Sequence, residues 1–142
     1  DNNRAAISLS GPGDAVGVLE WEGNTPTMET TELTVLDLPV GESVKLFAFS
    51  PDSGYVAMEV RTIEGSDGVE VFHLMEKKRL NLQLGSAFPP EKYQLSMQYW
   101  ERNSSSLLIR VNARAEGSGG EEKLGTWRIK VKTGEREKVI GD

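Results

Sequence analysis

An all-β architecture, built as about three antiparallel, four-stranded, blade-like repeats, follows from three features of the sequence. A turn-and-strand phrase, Phe49-Ser50-Pro51-Asp52-Ser53-Gly54-Tyr55-Val56-Ala57-Met58-Glu59-Val60, is echoed once before and once after itself. Downstream of each copy a second strand runs into a tight turn. No segment of about 12 or more residues sustains the 3.6-residue apolar period of a helix. A recurring supersecondary unit constrains architecture more strongly than composition does.

In the first unit Pro12-Gly13-Asp14-Ala15-Val16-Gly17-Val18-Leu19-Glu20-Trp21 superposes on Pro51 to Val60 with a shift of 39 positions. Proline presets φ, and the Asp side chain bonds the local backbone, so the phrase reads as a turn feeding a strand. The polar stretch Glu22 to Thr30 is a hairpin tip, and Leu33-Thr34-Val35-Leu36-Asp37-Leu38-Pro39-Val40-Gly41-Glu42 is the next strand with its closing turn. The second unit carries the clearest phrase, then a tip at Glu64 to Gly68, then Val69-Glu70-Val71-Phe72-His73-Leu74-Met75-Glu76-Lys77-Lys78. Glu76 to Leu84 comes nearest to a helical period, but Asn81 and Gly85 favour turn and strand there.

The third unit repeats the phrase as Glu101-Arg102-Asn103-Ser104-Ser105-Ser106-Leu107-Leu108-Ile109-Arg110-Val111, an ungapped shift of 51 positions that also matches Trp100 with Phe49. After the Gly-rich tip Ala115 to Glu122, Trp127, Ile129 and Val131 alternate with Arg128, Lys130 and Lys132, the period of two expected of a half-buried strand. Thr133-Gly134-Glu135 then turns towards Lys138-Val139-Ile140. Each unit reads as strand, turn, strand, variable hairpin, strand, turn, strand.

Composition bounds what such a chain does. At 142 residues it fits one domain, 1–142, long enough to bury a core. Hydrophobic residues at 37% and charged residues at 27% suit a turn-rich globular protein and not a disordered one. The net charge of −6 repels phosphate backbones, and the densest basic cluster is only Lys77-Lys78-Arg79, so nucleic acid is not an expected partner. Without Cys there are no disulfides, thiolate nucleophiles or cysteine metal ligands. No apolar run, the strand-like Leu107-Leu108-Ile109 included, approaches the roughly 20 residues of a membrane span. The chain begins at Asp1 without Met, which leads us to expect a removed export signal and a periplasmic or extracellular location.

The phrase Phe49-Ser50-Pro51-Asp52-Ser53-Gly54-Tyr55-Val56-Ala57 resembles the blade signature of TolB-type and Trp-Asp-repeat-like β-propellers. Trp127-Arg128-Ile129-Lys130-Val131-Lys132-Thr133-Gly134-Glu135 is similar to the strand and turn that close such blades. The third copy departs from that pattern, with Glu101-Arg102-Asn103-Ser104-Ser105 where the family shows a Pro-Asp-Gly turn. The resemblance implies a propeller-like fold that binds partners through loops at its strand ends. Propellers have typically 4 to 8 blades, so about three units leave closure open: part of a longer propeller, a homodimer giving six units, or a small sandwich or barrel.

Catalytic patterns are weak. His73, the sole His, lies between Phe72 and Leu74 and reads as a packed or surface strand residue. No Gly-x-Ser-x-Gly elbow accompanies the serines. Among the carboxylates Asp14, Asp37, Asp52 and Asp67, Asp14 and Asp52 occupy equivalent turns, where capping explains them, and the string Asp67-Gly68-Val69-Glu70 lacks the alternating acids of a Ca²⁺ loop. Gly117-Ser118-Gly119-Gly120 lacks the Lys-Ser/Thr ending and following helix of a phosphate cradle. Trp100 and Trp127 read as core, with Trp21 the better candidate for an exposed contact. The expectation is a non-catalytic protein-interaction module with no cofactor or metal, its candidate contact residues Trp21, Glu22, Asn24, Glu116, Ser118 and Glu121 on the two long tips. The alternatives are a carbohydrate-binding or carbohydrate-acting protein with a carboxylate-lined pocket beside an exposed Trp, and a structural part of a larger propeller assembly.

Overall fold

A computed structural model describes residues 2–9, 15–22, 32–37, 43–52, 54–61, 67–103, 105–115 and 120–139. Strands β1 (Asn2–Leu9), β2 (Ala15–Glu22) and β3 (Glu32–Asp37) form one sheet in the order β1-β2-β3. Strands β4 (Ser43–Phe49), β5 (Tyr55–Arg61), β6 (Asp67–His73) and β7 (Lys78–Arg79) form a second, in the order β4-β5-β6-β7. A single helical turn, α1 (Leu84–Ala87), precedes the third sheet, formed by β8 (Tyr93–Trp100), β9 (Ser106–Ala113), β10 (Gly125–Lys130) and β11 (Arg136–Lys138). Every pairing is antiparallel between neighbours in sequence, so the described fold is all-β.

The second and third sheets repeat the same order of antiparallel strands, with the shift of 51 matching β4 and β5 to β8 and β9. In both, the strand before the turn ends on an aromatic paired to the second residue of the next strand, Phe49 with Val56 and Trp100 with Leu107. The turn closes with the same backbone bond, Ser50 N–H to Tyr55 O at 2.9 Å and Glu101 N–H to Ser106 O at 2.9 Å. Asp52 Oδ1 accepts the Gly54 amide at 2.8 Å, and Asn103 Oδ1 accepts the Ser105 amide at 3.0 Å. Asn therefore replaces Asp without loss of the turn, because both offer an acceptor two residues ahead of the amide they bind. Asp52→Ala and Asn103→Ala should each cost about 1 kcal/mol, equal within error in urea melts; a much larger loss at only one position would break the equivalence.

The first unit departs from the expected four strands. Its third strand ends at Asp37, and the next strand, β4, belongs to the following sheet and starts at Ser43. Five residues cannot supply a turn, a fourth strand and a crossover. Elsewhere there is room: β6 is followed by β7 and a 13-residue connection before Tyr93. That connection holds the helical turn, where turn and strand were expected. Gln83 in the left-handed region (φ 56°) starts it, and Pro89-Pro90 stop it, since a residue before proline is driven out of the helical region.

Burial shows how the two larger sheets meet. One face of the second sheet, with Tyr55, Ala57, Val69 and Val71, packs on Leu107, Ile109, Val111 and Ile129 of the third, and Leu82, Leu84 and Phe88 of the connection close the side of this core. The opposite face of the second sheet buries Val56, Met58, Val60, Phe72 and Leu74 in a separate cluster. Strand β5 is consequently buried from Tyr55 to Val60 and loses the alternating exposure of a half-buried strand. Under the repeat, Val56, Met58, Val60 and Phe72 correspond to Leu107, Ile109, Val111 and Ile129. Each sheet thus has a leading face, and the second sheet's other face receives the leading face of the third. The contact is head to tail, not self-complementary.

Candidate functional site

Most of the chemistry-bearing side chains among the described residues hold the fold together. Asp52 also accepts a bond from Ser50 Oγ at 2.8 Å, and Ser50 Oγ in turn accepts the Tyr55 amide at 3.0 Å. Asp67 meets Lys45 at 2.9 Å and Arg61 at 3.2 Å. That contact is the main reason the Lys45 ammonium is held above its usual range. His73, half-buried at the end of β6, lies edge-on to the Tyr55 ring at 5.0 Å, and its Nδ1 accepts the Glu76 amide at 3.1 Å. Glu70 is pushed up by burial, against the opposing pull of Arg79 at 3.0 Å.

Glu59 is the side chain the sequence did not single out. It lies on central strand β5, only 7% exposed, and its Oε1 accepts the Met97 amide of β8 at 2.9 Å. The bond forms where the β8 register shifts, between Met97 and Tyr99, so a carboxylate of one sheet pairs with the backbone of the next. The available signal was its repeat counterpart, Arg110: a charged residue stands twice at the same place, directly between apolar neighbours, Met58 and Val60 in one strand and Ile109 and Val111 in the other.

Trp100 is buried in the core, and Trp127 packs partly buried against it. Trp100 stacks on Tyr55 at 5.9 Å and donates its Nε1–H to Ala48 O at 3.0 Å, tying β8 to β4. Trp127 packs edge-on to Phe88 at 5.2 Å and donates to Lys123 O at 2.8 Å. For Trp21 and Glu22 the strand path alone is described, at the end of β2. Asn24, Glu116 and Ser118 lie outside the described residues, as does Asp14.

Glu121 is described, and its setting is informative. It opens a single 3-10 turn, Glu121–Lys123, with Glu121 and Glu122 both exposed. The base of this turn is fastened from several sides. The Gly120 amide donates to Tyr93 Oη at 2.8 Å, Lys123 Nζ to Ala87 O at 2.9 Å, and Lys138 Nζ to Glu122 O at 3.1 Å. Two carboxylates are thereby presented on a braced loop at the end of the third sheet, where the cost of ordering them on contact is already met by the fold.

The outer face of the third sheet is the other feature. Register places Tyr99, Leu108, Arg128 and Glu137 in one cross-strand row. Arg128 is bidentate to Glu101 through Nε and Nη2 and bonds Glu137 through Nη1 at 2.9 Å. Both contacts favour the charged guanidinium, and the Arg128 bond holds the Glu137 carboxyl below its usual range. Tyr99 is 59% exposed beside them. Among the described residues no three His, Cys, Asp or Glu side chains come together as metal ligands, and no helix is long and apolar enough to cross a membrane. Comparison of the chain with known protein families, with curated proteins and with solved structures returns no match.

Proposed function

We propose that the chain is a non-catalytic protein-binding module whose stacked, propeller-like sheets hold loops at the strand ends against a partner. The observation that carries this reading is the contrast between two sets of acids. Asp52, Glu59, Asp67, Glu70, Glu101 and Glu137 are engaged in turns, ladders and ion pairs, whereas Glu121 and Glu122 are exposed on a loop whose base is fixed. A braced acidic loop suits a basic protein surface, and charge complementarity there acts on encounter rate and specificity.

Immobilised wild-type chain and a Glu121→Lys/Glu122→Lys variant, exposed to extract of the source cells at physiological salt, should differ at least tenfold in the amount of a specific protein retained. Equal retention by both would dismiss this loop as the contact. The carbohydrate reading has one supporting feature, the exposed Tyr99 ring in the same row as Arg128 and Glu137. Binding on a glycan array that is lost in Tyr99→Ala would favour it.

A further inference from the structure

We infer that Asn103, on the turn between β8 and β9, is the acceptor for an N-linked glycan. Asn103-Ser104-Ser105 is an Asn-x-Ser triplet with a residue other than proline at its centre, and no other Asn in the chain has Ser or Thr two residues on. In the matched turn of the second unit the same three places read Asp52-Ser53-Gly54. The two turns differ by Asp to Asn and Gly to Ser. Those are the two changes that create the triplet.

Turn geometry demands neither change. Asp52 Oδ1 accepts the Gly54 amide at 2.8 Å, and Asn103 Oδ1 accepts the Ser105 amide at 3.0 Å, so an acceptor oxygen at the first place is enough. What the carboxamide adds is Nδ2, a nitrogen that a carboxylate lacks. Oδ1 also takes the Ser106 amide, at 3.1 Å, which fixes the group from its oxygen side. Nδ2 makes a long contact of 3.5 Å to Ser106 Oγ, at the far limit of a hydrogen bond. Asn103 is exposed, as a bulky surface modification requires.

The donor is a lipid-diphosphate-linked oligosaccharide, brought by a transferase that reads the hydroxyl two residues beyond the Asn. Nδ2 bonds to the anomeric carbon of the donor. The bond from that carbon to the diphosphate oxygen breaks, its electron pair leaving on the lipid diphosphate, and one Nδ2 proton passes to a base on the transferase. The nitrogen keeps its second proton and Oδ1 keeps both amide bonds, so the turn survives. Such transferases act on exported chains, and the inference includes export of this one. Strand β9 runs from this turn towards the tip that carries Glu121, so the glycan stands at the opposite end of the third sheet and leaves the acidic loop open.

Intact-mass and glycopeptide mass spectrometry of the full chain recovered from its source cells tests the assignment. Wild-type chain should carry the added mass of an oligosaccharide on the peptide holding Asn103. Asn103→Asp and Ser105→Gly, each placing the residue of the matched turn, should return the chain to its sequence mass, whereas Ser105→Thr keeps the triplet and should keep the glycan. Wild-type chain at its bare sequence mass overturns the inference, whether or not the variants fold. An added mass that persists in Asn103→Asp overturns it as well.

Discussion

Ile109→Ala should lower unfolding free energy by about 3 to 4 kcal/mol, near the middle of the range for truncating a fully buried aliphatic side chain. Ile109 is 0% exposed on the central strand β9, in the core between the second and third sheets. Its repeat counterpart, Met58, is also 0% exposed but belongs to the cluster on the far face of the second sheet. Met58→Ala should cost about 2 to 4 kcal/mol. A domain of this kind is stable by roughly 5 to 15 kcal/mol in all, so either change removes a large share. Because the two positions lie in separate clusters, their effects should add to within about 0.5 kcal/mol. Urea denaturation of both single variants and the pair measures this. A loss below 1 kcal/mol at Ile109 would contradict the packing between sheets.

The second large effect concerns Glu59. Glu59→Ala should cost about 2 kcal/mol, because the partly buried Met97 amide loses its acceptor and an unmet donor carries a desolvation penalty of about 1 to 3 kcal/mol. The nearby Lys45 contributes little to this loss. It lies 3.7 Å from the second carboxylate oxygen with 37% of its side chain exposed, and surface pairs of that kind are worth about 0 to 1 kcal/mol. Glu59→Gln keeps a carbonyl acceptor and should lose roughly half as much as Ala. Equal losses for Ala and Gln would assign the effect to charge and not to the Met97 bond.

Much of the fold was legible in the sequence because its signals are local. The turn chemistry of Asp52 and Asn103 and the alternation of Trp127, Ile129 and Val131 are set within a few residues, and the structure reproduces them. The four-strand count for the first unit failed for a non-local reason. Gly41-Glu42 looks like a closing turn, but the strand after it pairs with β5 across the next sheet. The helical turn at Leu84 was missed because one turn is too short to establish a period.

The site was less legible. Alternation of Arg128 and Lys130 with Ile129 shows that one face is polar, but not that Arg128 is gripped by Glu101 from β8's end and Glu137 from β11. Those partners are 27 and 9 residues away, and only the sheet register brings them together. Glu59 is similar: its partner, Met97, lies 38 residues on and in another sheet. The Glu121 loop was recognised as a tip from its Gly-rich approach, whereas its bracing by Tyr93, Ala87 and Lys138 could be read only from the structure.

Head-to-tail stacking of the second and third sheets is the claim on which the rest depends, and two-dimensional NOE spectroscopy tests it most directly. The Trp100 indole, stacked on Tyr55 and bonded to Ala48 O, should give strong cross-peaks from its ring to Tyr55 and from its Nε1 proton to the Ala48 region. Tyr99 ring cross-peaks to Tyr55 instead, with none from Trp100 to Tyr55, would mean that the third sheet presents its opposite face, the one carrying Tyr99, Leu108 and Arg128, to the second and would contradict the account.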